Sequence, residues 1–187
     1  MPRLFVAIDL PHELAVDLLR ILPVHDGIRP TLSGQLHLTL RFLGERDEAL
    51  AARVALGLRT VRASAMTLQV DGVGRFRSGR GAVLWAGLSI SAPLAQLVDA
   101  IDRVLENEGI GAEARRFWPH LTLARCRPGV PDTILRDWLS RHGALTMPPW
   151  RVDRFALVES FLKPDGARHA ERETYPLATQ PLVSPDC

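Results

Sequence analysis

The chain has 187 residues, 47% of them hydrophobic and 24% charged, with a formal net charge of +2. That length supports one core of real size, here read as one domain over residues 1–187 built from two similar lobes. The near-neutral charge excludes a strongly basic nucleic-acid-coating protein, and the composition is that of a globular chain. Cys126 and Cys187 lie far apart and form neither a disulfide framework nor a zinc signature. The N-terminal apolar run is too short for a signal peptide, and no stretch approaches membrane-spanning length. A cytoplasmic protein with no membrane contact is therefore expected.

Leu4 to Asp9 reads as a strand, and Pro11 opens a helix that carries Leu14, Leu18 and Ile21 on one face up to Pro23. Leu36 to Leu43 alternates as a strand and Gly44 ends it. A helix follows from about Asp47, with Leu50, Val54, Leu58 and Val61 at helical spacing. Met66 to Val73 alternates again. The second half repeats this order. Ala82 to Leu88 is a strand, and Pro93 opens a helix with a stripe of Leu94, Leu97, Val98, Ile101, Val104 and Leu105 that Gly109 caps. Pro119 to Ala124 is a strand, a helix runs from about Pro131, and Arg151 to Val158 is a strand. Arg75 to Gly81, Arg127 to Pro131 and Pro164 to Gly166 read as turns or loops.

The repeat is nearly constant in spacing. Pro11 recurs as Pro93, His37 as His120 and Asp47 as Pro131, offsets of 82, 83 and 84. A long-period self-match of this kind implies two similar lobes about an approximate twofold axis. Short strands interrupted by helices point to an α+β fold, with largely antiparallel sheets, outer helices and a cleft between the lobes.

Of six histidines, two are followed by Leu-Thr-Leu. On a strand, residues two apart share a face at roughly 7 Å. Leu36, Leu38 and Leu40 then face the core while His37 and Thr39 stand together on the other side. In the second copy Leu121 and Leu123 go inward, and His120 and Thr122 go outward. One such histidine would read as a surface residue; the duplicated pair reads as a site. Two imidazoles facing each other across a cleft suit displacement at phosphorus, one as base and one as acid. The hydroxyls suit the non-bridging oxygens. Two histidines are too few ligands for a metal site, and no Gly-x-Ser-x-Gly elbow is present. The expectation is a reaction with no metal and no cofactor.

His-x-Thr-x twice, about eighty residues apart, resembles the 2H phosphoesterase superfamily, and within it the RNA 2′,3′-cyclic phosphodiesterases, also called 2′-5′ RNA ligases or LigT-like proteins. The resemblance extends through Arg3–Pro11, Leu36–Glu45, Gly72–Phe76, Leu84–Gly87, Pro119–Arg125 and Phe155–Ser160. It implies metal-independent hydrolysis of RNA 2′,3′-cyclic phosphate ends to a 2′-phosphate, with weak reverse 2′-5′ ligation. It casts His37 as proton donor to the leaving 3′ oxygen, His120 as acceptor from water, and Thr39 and Thr122 as phosphate holders. From the residues alone, donor and acceptor stay interchangeable. The implied partner is RNA with a cyclic phosphate end, tRNA fragments being one source, bound by a monomer. An RNA-end binding module without turnover, and another 2H activity such as a 3′–5′ exonuclease or an esterase on small cyclic phosphates, are the alternatives.

The family pattern also places Arg125 near the phosphate. Strict alternation sends it to the face opposite His120, so that role requires a bulge or the strand's end to turn it inward. Arg75, Phe76 and Arg77 lie in a loop that also holds Arg80, and read as an RNA contact by stacking and charge. Arg115-Arg116-Phe117-Trp118 has a similar look, although Trp118 also suits the core. Relatives often carry an aromatic after Gly-x-Arg; this chain has His169 there, which reads as part of a solvated turn.

Overall fold

The computed structural model describes residues 1–79, 81–163 and 166–178. Arg80, Pro164, Asp165 and Cys187 lie outside the described residues. Four helices pack on one face of a sheet in the strand order β10-β9-β1-β3-β7-β6-β5, with β2 beside β7. The strands are β1 (Arg3–Asp9), β2 (Ile28–Pro30), β3 (His37–Glu45), β4 (Met66–Leu68), β5 (Val70–Ser78), β6 (Gly81–Leu88), β7 (His120–Cys126), β8 (Trp150–Val152), β9 (Arg154–Lys163) and β10 (Gly166–Pro176). The helices are α1 (His12–Arg20), α2 (Glu48–Leu58), α3 (Ala92–Asn107) and α4 (Asp132–His142). Every named strand pair is antiparallel, as the sequence predicts for an α+β fold. None of the described helices is long and apolar enough to cross a membrane.

Helix starts follow local chemistry. Asp47 caps α2 through its carboxylate and the Leu50 amide at 2.7 Å, and Ser91 caps α3 in the same manner at 3.4 Å. The helix stripes bury Leu14, Leu18, Val54, Leu58, Leu94, Leu97, Ile101, Leu105, Leu135 and Trp138 against Leu4, Val6, Ile8, Leu38, Leu84, Leu121 and Leu123 of the sheet. A small second cluster of Phe5, Ala7, Ala156 and Val158 lies on the opposite face of β1 and β9.

The repeat is visible in the sheet, with an exchange that the sequence does not announce. β3 and β7 meet at the centre through one register pair, Leu38 with Leu121. Outward from there run β1 and β9 on one side, β6 and β5 on the other. β5, from the first half of the chain, thus pairs with β6 of the second, and β9, from the second half, pairs with β1 of the first. The structural halves are not the sequence halves. β4 and β8 also pair across the repeat.

Three predicted elements need correction. Met66–Val73 is two strands, and Arg151–Val158 likewise divides at Asp153. Arg75–Ser78 belongs to β5 and not to a loop; Gly72, Gly74, Gly79 and Gly81 around it hide the strand from a propensity reading. β10 has no counterpart in the repeat and no predicted strand at all. Its Gly-Ala-Arg-His-Ala-Glu-Arg-Glu-Thr run lacks an apolar face because it is an edge strand, paired only to β9.

Candidate active site

Each His-Leu-Thr-Leu word carries a β-bulge at its fourth residue. Ala7 opposes Thr39 and Val6 opposes Arg41, so Leu40 has no partner. Trp85 opposes Thr122 and Leu84 opposes Ala124, so Leu123 has none. A bulge reverses the parity of everything beyond it. His37, Thr39, His120 and Thr122 therefore share the open face with Phe42 and Arg125, while Arg41 and Ala124 turn toward the helices. The chain around Thr31 secures the second bulge: its amide donates to the Leu123 carbonyl and its hydroxyl to the Thr122 carbonyl, both at 2.8 Å.

That parity switch gives Arg125 an open-face position, opposite Val83 of β6 and Arg29 of β2. Arg29, which carries no signal in the sequence, thus stands beside Arg125 across the strands. Two like charges directly opposed are unfavourable alone and suit an anion above them. Arg41 is 5% exposed and reaches the other way, bonding Asp102 of α3 at 2.8 Å and the Gly111 carbonyl. Burial raises the Asp102 carboxyl, and Arg41 opposes that shift.

Both imidazoles are tethered alike. His37 Nδ1 lies 2.8 Å from the Gln35 carbonyl, and His120 Nδ1 lies 2.7 Å from the Trp118 carbonyl. A carbonyl only accepts, so each Nδ1 carries the proton and donates it. Each Nε2 is left for the cleft. In the neutral ring it is an acceptor; in the charged ring it is a donor.

The surroundings of the two rings differ. The His37 ring lies 4.8 Å from Phe5 and 4.9 Å, edge-on, from His169. Burial lowers the His37 pKa; the Gln35 carbonyl raises it, and His120 lowers it further. His169 stands on β10, not in a solvated turn, because β10 continues the sheet past the point where the sequence suggests a turn. Burial, then the neighbouring His37, brings its pKa down to about 4, and its Nδ1 is buried without a hydrogen-bond partner. The His120 ring instead meets Phe76 at 5.1 Å and Trp85 at 6.4 Å. Gly74 makes this wall feasible, since a Cβ there would sit 2.1 Å from the Trp85 ring. Trp118 is 58% exposed and 6.4 Å from Trp85, so it is not core.

Strand alternation divides the expected RNA-contact trio. Phe76 joins the open face; Arg75 and Arg77 both bond Asp132 at the start of α4, at 2.6 and 2.5 Å, on the helix side. Both guanidiniums share the one Asp132 carboxylate, which Arg136 also reaches, and of the trio Phe76 alone stands on the open face. Cys126 is buried, and burial raises its thiol. Among the described residues no group of three His, Cys, Asp or Glu side chains is placed to hold a metal ion.

Residues 13–161 match the model of the 2′-5′ RNA ligase superfamily. The chain is 34% identical to the RNA 2′,3′-cyclic phosphodiesterase of Thermus thermophilus, covering 94% of this chain and 90% of that one. It is 33% identical to the enzyme of the same name from Escherichia coli K12, covering 66% and 71%. A crystal structure of a Thermus thermophilus protein superposes with a TM-score of 0.78 at 30% identity, over 95% of this chain and 99% of that one. Escherichia coli LigT in its apo form superposes at 0.74 and 28%, over 94% and 98%.

Proposed function

The chain belongs to the 2′-5′ RNA ligase superfamily and carries the RNA 2′,3′-cyclic phosphodiesterase activity of its named relatives; we propose that it opens the cyclic end with two histidines and no metal. Water attacks phosphorus and passes a proton to His120 Nε2. The bond from phosphorus to the 3′ oxygen breaks, and His37 Nε2 donates its proton to that oxygen. The products are a 2′-phosphomonoester and a free 3′ hydroxyl. Proton exchange with solvent then resets both rings. A 5′ hydroxyl in place of water gives the same steps and a 2′-5′ bond, which is the weak ligation.

The observation that carries this reading is the paired tether. Each Nδ1 is committed to a carbonyl two residues earlier, so each ring presents Nε2 to the cleft beside a threonine hydroxyl. Thr39 and Thr122 hydrogen-bond the non-bridging oxygens, and Arg125 adds charge to the same anion. Burial disfavours the charged form of His37. A phosphodiester anion between the rings restores it, which links donor competence to substrate binding. Phe76 stacks on a base of the RNA. The protein acts as a single domain and a monomer on cyclic-phosphate RNA ends, tRNA fragments among them.

The test is RNA with a cyclic phosphate end, incubated with the protein and a chelator. Opening to a 2′-phosphate is expected, and His37→Ala and His120→Ala each remove nearly all of it. Binding of the RNA with no product after long incubation would instead make the protein an end-binding module.

A further inference from the structure

Beside His37 lies a cavity of about 110 Å³, lined by Phe5, Asp9, Gln35, His37, Val158, His169 and Glu171 together with Gly34. Its position follows from β10, a strand that the repeat does not duplicate. β10 brings His169 and Glu171 onto the open face next to β9, opposite Ser160 and Val158. Asp9 arrives from β1 as the direct cross-strand neighbour of His37. Among the described residues nothing equivalent lies at His120, where Gly87 takes the place opposite the histidine.

The cavity has an apolar floor of Phe5 and Val158, which belong to the small cluster on this face. Two imidazole rings stand beside it, with His169 edge-on to both His37 and Phe5 at 4.9 and 5.0 Å. The rim is polar and acidic. Glu171 lies beside Asp9 on this rim, and that neighbouring carboxyl, then burial, raises the Glu171 carboxyl. The Gln35 side chain completes the rim. A flat ring between apolar floor and aromatic wall, with hydrogen bonding only at its edge, is the environment a nucleobase takes in proteins that read single-stranded ends.

The role of this cavity rests on the reaction proposed above. If His37 donates to the 3′ oxygen, the nucleoside that owns that oxygen lies on the His37 side of the cleft. Its base then has this cavity within reach. We propose that the Asp9–Glu171 pocket receives the base of the terminal nucleotide and favours bases with an exocyclic amino group, guanine, adenine or cytosine, over uracil. Carboxylates accept hydrogen bonds from an amino group. Uracil offers one ring N–H between two carbonyl oxygens, which face the carboxylate lone pairs unfavourably. A site built to bond a donor rejects the analogue that lacks it.

Two measurements test this together: hydrolysis of four RNA ends that differ only in the terminal base, and calorimetric binding of the four nucleoside 2′-phosphates. In the wild-type protein the amino-bearing bases are expected to exceed uridine by about tenfold in kcat/KM and in affinity, the worth of one hydrogen bond to a charged group. Glu171→Gln and Asp9→Asn are expected to narrow that ratio, and Ser160→Ala, outside the rim, to leave it. Equal values for all four bases overturn the pocket, as does a ratio unmoved by either rim variant. If no cyclic end is opened while the binding preference persists and the rim variants narrow it, the reaction fails and the pocket stands.

Discussion

The His37 half and the His120 half of the cleft carry the same word, the same bulge and the same carbonyl tether, yet their walls are unlike. Opposite Thr39 stands Ala7, and opposite Thr122 stands Trp85. Opposite His37 is Asp9; opposite His120 is Gly87. Five residues after the histidine, one half has Phe42 and the other Arg125. The residue tethering the ring is Gln35 in one and Trp118 in the other. What repeats is what the proposed proton transfer at phosphorus requires from either side. What differs suits the proposed substrate, which is asymmetric: its 3′ oxygen departs from phosphorus on one side and water enters on the other.

The strongest way to break the comparison is to remove one ring at a time. His37→Ala and His120→Ala are each expected to lower kcat by about 10²–10⁴, the range for a lost general acid or base. Similar losses support equal roles; a variant that keeps most of its rate removes the symmetry. Thr39→Val and Thr122→Val come next, with losses of about 10²–10³ if each hydroxyl holds a non-bridging oxygen. Steady-state kinetics on a cyclic-phosphate RNA read both.

Away from chemistry, the halves differ where Arg41 of the first occupies the place of Ala124 in the second. Arg41→Ala leaves Asp102 and the Gly111 carbonyl without their partner, and a loss of about 3 kcal/mol in denaturant unfolding is expected. Asp102 retains some exposure, which limits the cost. The same titration on Ala124 variants has no ion pair to lose.

The smallest effects are in titration. The folded pKa of His169 lies near 4, below the ordinary value of 6.5. A group lowered on folding stabilises the protein above its unfolded pKa and loses that contribution as pH falls toward the folded one. The melting temperature is therefore expected to decline between pH 6.5 and 4, and His169→Phe to flatten the decline. NMR titration of the imidazoles should put His37 below 6.5 and shift it upward in His120→Ala, because the charge of His120 helps to lower it. No shift in that variant would mean the two rings do not sense each other.

The sequence made the duplicated frame legible because its signals are local. Proline and aspartate mark the starts of α1, α2 and α4, and the leucine stripes run where the core lies. The shared face of the four motif side chains was legible as well, since parity over His37 to Thr39 and His120 to Thr122 holds before either bulge. Arg125 was named from the family pattern, but its face was not legible, because the bulge that turns it depends on the pairing partner and not on the strand's own residues; Arg29, on the short strand β2, carried no signal. His169 was hidden because β10 has no apolar face to advertise a strand. The exchange of β5 and β9 between halves leaves no trace in either segment's composition. It is nevertheless what brings Phe76 to His120 and Val158 to the cavity beside His37.

The most direct test of the two-histidine account is single-turnover hydrolysis of a 2′,3′-cyclic-phosphate RNA in the presence of a chelator, for the wild-type protein and both histidine variants, with the product's phosphate position identified. Full wild-type activity yielding only the 2′-phosphate, and near-complete loss in both variants, is the result expected. A chelator-sensitive rate, or a 3′-phosphate product, would contradict it.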